Sequence, residues 1–204
     1  MQSYLIPYVD PKKHDGHEDP LLEEFSYGDN GDRGSWLRKK VQKGDFLFFH
    51  TNIRGKTCIT AYYYVEQSIA VEVAQKDKLI MKKYKNPHLT REYLDKNETI
   101  IFGNPVYSKI LKHPFPIDNH VLSQLSGTPK SISRPWVKLS NKDVEFLIDR
   151  IEEFEKEFYL KDTYLTTEEI GELLEKDIED FLYNNPNYIK EGLEQFGRQV
   201  TLKS

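Results

Sequence analysis

Residues 44–71, GDFLFFHTNIRGKTCITAYYYVEQSIAV, constrain the chain more than any other stretch. Two runs rich in Phe, Tyr, Ile and Thr flank a short break at Arg54-Gly55-Lys56. Aromatic and β-branched side chains suit a pleated, half-buried surface. Two such runs around a Gly-containing turn predict a β-hairpin. Strands this apolar must be buried, so the rest of the chain has to cover them. A length of 204 residues suffices for one sizeable core with a small appended element.

Other elements follow from local signals. SYLIPYVD reads as a short strand broken by Pro7, followed by a loop to about Asp32 whose turns are marked by DP, HDG and GDNGD. SWLRKKVQK predicts one or two helical turns that Ser35 can cap. TIIFG is a further strand, Gly-Asn-Pro a break, and VYSKIL another extended piece. The stretch VAQKDKLIMKKYKNPHLTREYL reads as loop with one helical segment. From Ser140 the period changes. Val144, Leu147, Ile148, Ile151, Phe154 and Phe158 share one helical face. Thr166 and Glu169 stand in capping-box spacing before a second helix that Pro186 stops. Strands followed by helices predict an α+β fold, divided into 1–140 and 141–204.

Charged residues make up 30% of the chain and hydrophobic ones 38%, a globular balance. A net charge of -4 provides no global field for a polyanion. Residues 33–43 are nevertheless basic, and the acidic excess lies mostly in residues 143–180. The single cysteine, Cys58, fits a reducing compartment, and MQSYLIPYVD lacks the regions of a signal peptide. No apolar run approaches the roughly 20 residues that span a bilayer. The expectation is a cytoplasmic protein without a membrane segment. The 13 Tyr, 11 Phe and 2 Trp exceed an ordinary share, and either aromatic-rich strands or base-stacking platforms account for them.

Five strings occur in order: HEDPLLEEFSYGD, GDFLFFHTN, YYYVEQ, NPHLTREY and IIFGNPVYSKILKHPFPI. Together they resemble the bacterial and archaeal nucleotide-modification-associated domains, over about residues 3–120. That resemblance implies a PUA-like curled β-barrel with peripheral helices, the superfamily of the SRA, EVE, YTH and ASCH domains. It further implies a pocket at the barrel mouth for a single, often modified, nucleotide. One departure is visible: the family tends to place Tyr-Ala where this chain has His50-Thr51-Asn52.

The candidate base- and nucleotide-binding residues are Tyr27, Asp29, Trp36, His50, Thr51, Asn52, Ser108 and Lys109. Asp29 can accept hydrogen bonds from base amino groups and Tyr27 can stack or donate, or both simply complete a turn. Trp36 stands among Arg33, Arg38, Lys39 and Lys40, a set suited to phosphate contact, with a core Trp36 on a solvated helix as the alternative. His50, Thr51 and Asn52 end a buried strand and either read a base edge or close a hairpin. Ser108 and Lys109 match the family segment and would hold a phosphate. His14, His17, Glu18 and Asp19 have metal-compatible chemistry but no helix to align them, so no metal site is expected.

EKDIEDFLYNNPNYIKEGLEQFGRQVTL is similar to the opening of NucS-type PD-(D/E)XK nuclease domains, through residues such as Glu175, Glu179, Asn185, Pro186, Gly192 and Arg198. An ordinary amphipathic helix ending at Asn-Pro is the alternative. No Asp followed by Glu-x-Lys comes after it, which suggests a fragment of a longer reader–nuclease. The expectation is therefore a DNA-binding module that recognises a modified or flipped base and targets a restriction or phage-defence nuclease. Catalysis and cofactors are not expected in this chain, Mg2+ belonging to a full-length endonuclease. A metal-dependent endonuclease and an RNA- or small-nucleotide-binding domain are the competing readings.

Overall fold

The computed structural model describes residues 2–9, 19–126 and 136–163, with the side chains of the last helix followed to Phe158. The hairpin forms as the sequence predicts, from β3 (Phe46–Ile53) and β4 (Lys56–Ala70). Antiparallel pairing runs from Phe46 opposite Tyr64 to Ile53 opposite Lys56. β1 (Ser3–Pro7) lies parallel to β3 on its other side, and β7 (Val137–Leu139) lies antiparallel to β1.

Fifteen-residue β4 carries two strands on its far edge. β6 (Lys109–Pro116) pairs with its first half and β5 (Thr99–Gly103) with its second. β2 (Ser26–Asp29) then pairs with β5. The result is a seven-stranded mixed sheet, and the fold is α+β. No ladder joins its outer strands among the described residues, so the sheet stays open.

A bulge sets the two faces of this sheet. His50 pairs with Ile59 and Phe49 with Ala61, which leaves Thr60 unmatched. One extra residue reverses the in–out alternation. Ile59 consequently points into one core with Leu5, Phe48, Leu111 and Phe115, whereas Ala61 and Tyr63 point into the other with Tyr4, Phe49 and Leu37. The first core is capped by α5 (Asn119–Gln124) and by α6 (Asn141–Thr163), through Val121, Val144, Leu147 and Ile151. The second is covered by α1 (Gly31–Lys40) through Leu37 and Trp36.

Three short helices replace the single segment expected after β4: α2 (Val71–Ala74), α3 (Lys78–Lys83) and α4 (Pro87–Thr90). Asp77 and Asn86 start the last two by accepting backbone N–H groups, the side-chain capping that short helices depend on. They bury Val71, Ala74, Tyr84 and Leu89 against Ile100 and Phe102. α1 begins at Gly31 rather than at Ser35, because Asn30 follows β2 directly and takes the extended N-cap conformation.

The chain forms two compact units, Met1–Glu155 and Lys156–Ser204. The division falls within α6. The second predicted helix, Glu175 and Glu179 lie outside the described residues, as do His14, His17 and Glu18. Among the described residues no helix is long and apolar enough to cross a membrane.

Phe48 is fully buried and packs in the larger core, whereas Tyr93 is 85% exposed. Phe48→Ala should therefore lower the unfolding free energy by about 3–5 kcal/mol. Tyr93→Ala should stay within about 0.5 kcal/mol. Urea unfolding curves of the two variants check this contrast.

Candidate functional site

Two residues apart on one strand, Tyr27 and Asp29 project from the same face of β2. The Tyr27 ring packs edge-on against Phe49, with centroids 5.2 Å apart. Its hydroxyl donates to Asp29 Oδ2 at 2.9 Å, while the Asn30 N–H donates to Oδ1 at 2.8 Å. Burial, and then the negative charges of Asp29 and Asp19, hold the Tyr27 hydroxyl well above its usual range. It remains a phenol and a donor. Burial also raises the Asp29 carboxyl, against the opposing pull of the Asn30 N–H, the Tyr27 hydroxyl and Arg33.

A second carboxylate arrives from the preceding loop. Asp19 Oδ1 accepts from the Gly28 N–H and from Asn86 Nδ2, both at 3.0 Å, and Oδ2 lies 3.6 Å from His88 Nε2. The other ring nitrogen of His88, Nδ1, is 2.5 Å from Glu98 Oε1. Burial alone would lower the His88 pKa, but hydrogen bonds and charge from Asp19 and Glu98 outweigh it and raise the value above that of a free imidazole. His88 thus lies buried between two carboxylates that favour its protonated form. Such an arrangement is tolerated because each charge has a partner.

Gly28 makes this packing feasible. A Cβ built there would stand 2.3 Å from His88 Cδ2, so the strand backbone lies directly against the imidazole. Gly34 does the same for α1, where a Cβ would meet the Asp29 carbonyl oxygen at 2.5 Å. The helix is thereby drawn close enough for Arg33 to reach the site.

Tyr8, Asp19, Tyr27, Asp29, Arg33 and His88 line a pocket of about 230 Å³. Larger, drug-sized ligands occupy pockets of roughly 300–1,000 Å³, so this one suits a single small ring system. The carboxylates of Asp19 and Asp29 share its lining with Arg33 and His88. The pocket as a whole is near neutral, yet its acceptors are fixed in place.

The other predicted residues scatter. His50, Thr51 and Asn52 line a separate cleft on the other side of Pro7 and Tyr8. Trp36 sits among rings, 4.4 Å from Tyr4 and 5.1 Å from Trp136 by centroid, both edge-on. Arg33, Arg38, Lys39 and Lys40 are exposed along α1, with Arg38 donating to Asn97 Oδ1 at 3.3 Å. The Ser108 hydroxyl accepts from the Tyr64 N–H at 3.0 Å and is buried, and Lys109 forms an ion pair with Glu155. Neither Ser108 nor Lys109 lines either pocket. Among the described residues no cluster of metal-ligating side chains forms, and Asp19 is committed to Gly28, Asn86 and His88.

His88, Glu98 and Asn86 escaped the reading of the sequence as site residues. His88 and Asn86 fall inside the string NPHLTREY, and an Asn-Pro-His start to a one-turn helix was the available signal.

No protein-family model matches the chain, and no curated protein matches it in sequence. Several solved structures are similar in outline. A hypothetical protein from Leishmania major shares 12% identity over 76% of this chain and 97% of that one, with a TM-score of 0.45. Human THYN1 protein, in complex with 5-methylcytosine-containing DNA, shares 11% over 74% of this chain and 98% of that one, with a TM-score of 0.40. The N-terminal domain of Thermococcus gammatolerans McrB, bound to m5C DNA, shares 12% over 76% and 99%, with a TM-score of 0.38. At these scores the similarities carry no argument about site or ligand.

The raised pKa of His88 gives its charge a pH signature. A group whose pKa rises on folding contributes stability that is fully present below the unfolded value, 6.5 here. The contribution is lost as pH climbs through the folded value. Thermal melts from about pH 6 to about pH 9 should show a falling Tm for the natural chain relative to His88→Gln, which keeps a polar side chain without the titrating charge. Parallel pH profiles would show that folding leaves the His88 pKa unchanged and would contradict the raised value.

Proposed function

We propose that this chain binds one unstacked base of DNA in the pocket beside Asp29, as a reader of modified bases. The observation that carries the reading is the Tyr27–Asp29–Asp19 arrangement. Two fixed carboxylates stand around a ring-sized space, with an aromatic residue at its side. Carboxylates accept hydrogen bonds from exocyclic amino groups, as in the pairing of Asp or Glu with cytosine N4. An amino-bearing base is therefore favoured over thymine.

The energetics are feasible. Taking a base out of its stack costs a few kcal/mol. Hydrogen bonds to charged groups contribute about 1.5–3 kcal/mol each, so two of them offset the cost. Arg33, at the pocket rim, and Arg38, Lys39 and Lys40 farther along α1 would meet the backbone phosphates and add affinity without sequence preference. The order of the PUA-like sequence boxes supports the same reading from an independent direction. It also suggests the wider role, a targeting module for a restriction or phage-defence nuclease.

Titration with oligonucleotides that differ only in one base tests the pocket. Cytosine, 5-methylcytosine, adenine, N6-methyladenine and thymine make a suitable panel. At least one amino-bearing base should bind more tightly than thymine, and Asp29→Asn should weaken that complex about 10- to 100-fold. Equal, negligible binding of the whole panel would sink the proposal, whereas preference for the same sequence as RNA would redirect it to an RNA reader. When magnesium is added, this chain should leave all these DNAs uncut. Cleavage that disappears in Glu179→Ala would contradict this division of labour.

A further inference from the structure

Beyond Pro7 and Tyr8 lies a cleft of about 850 Å³, bordered by the end of the β3–β4 hairpin and the start of α5. Its walls are apolar where Pro7, Pro116, Ile117 and Leu122 contribute. Its polar lining includes His50, Thr51, Asn52 and Thr57 on the hairpin side and Asp118 and Asn119 at the start of α5.

His50 is the unusual member. It is only 4% exposed, and its Nε2 is a buried polar atom with no hydrogen-bond partner among the described residues. Burial lowers its pKa to about 4, so the ring is neutral at physiological pH. An orphaned buried nitrogen is costly and rare in folded proteins. Here it belongs to a residue that lines a cleft large enough for a ligand, and a ligand edge would supply the missing partner.

The charge balance selects the kind of ligand. Lys56 and Asp118 are the charged groups among the lining residues, and the Asp118 carboxylate already accepts from the Val121 N–H at 2.8 Å. Apolar walls around a neutral imidazole suit an uncharged, flat heterocycle better than a phosphate. Pro7 and Tyr8 line both this cleft and the Asp29 pocket. A ligand that fills one space and continues past these two residues enters the other.

We propose that the His50 cleft holds the nucleobase next to the one inserted beside Asp29, with His50 Nε2 hydrogen-bonded to its edge. The chain then reads two consecutive nucleotides of one strand, a target and its neighbour. This inference rests on the binding of a base in the Asp29 pocket.

Binding of single-stranded oligonucleotides with an abasic position tests the two sites separately. With the target base removed, affinity should fall if the Asp29 pocket is used. With the target base kept and the adjacent base removed on one side, affinity should fall about tenfold. In His50→Phe, which keeps a ring but has no nitrogen, the loss on removing the adjacent base should shrink markedly. His50→Leu serves as a second variant, with thermal unfolding recorded for both, and if neither folds the abasic comparison in the natural chain decides alone. Dependence on the target base without dependence on either neighbour overturns the second site and leaves the first standing. Dependence on neither overturns both. A shift of the His50 ring signals with inorganic phosphate alone would assign the cleft to an anion and overturn the nucleobase reading.

Discussion

The extra residue in β4 is the constraint on which the rest of the molecule hangs. With Thr60 unmatched, side chains before and after it face opposite cores, and one strand supplies large residues to both. The Thr60 hydroxyl is 2.8 Å from that of Tyr8 and 3.4 Å from the Phe49 carbonyl oxygen to which it donates. The Tyr8 N–H in turn donates to the His50 carbonyl oxygen at 2.9 Å. The wall between the two cavities is thus fastened to the same irregularity that divides the cores. Bulges commonly re-aim side chains at working sites, and here one does so for a partition.

Charge placement follows a similar economy. Holding partly buried Asp19 and Asp29 beside buried Glu98 and His88 would be prohibitive for isolated ions. Each instead receives N–H or O–H donors or an opposite charge, and Arg91 stands 3.5 Å from Glu98 at the rim. The outcome is a set of hydrogen-bond acceptors held rigid with little net field. Such a site distinguishes ligands by the pattern of their edges more than by their charge, in keeping with a reader whose affinity for the backbone comes from α1.

Much of the architecture was legible in the sequence because its signals are local. The hairpin, β1, β5 and the long helix each carry an unambiguous period or an apolar run with a clear stop. β2 was hidden, since Ser-Tyr-Gly-Asp has neither alternation of apolar residues nor length, and its pairing with β5 is what makes it a strand. The α2–α4 segment was hidden for the opposite reason, because each helix is too short to show a period. Within the site, Tyr27 and Asp29 stood out as a polar turn on an aromatic strand. His88 and Glu98 did not, since their roles arise only when a strand, a one-turn helix and the loop carrying Asp19 converge from 19, 88 and 98 in the chain.

The contact between Gly28 and the face of His88 leaves no spare room at all. Its consequence is historical as much as mechanical. Side-chain volume at position 28 and ring volume at position 88 draw on one shared space, sixty residues apart in sequence. Neither position can drift independently. Chains descended from a common ancestor would have to exchange bulk across this contact in paired steps, or keep both residues unchanged, so the two columns of an alignment should move as one.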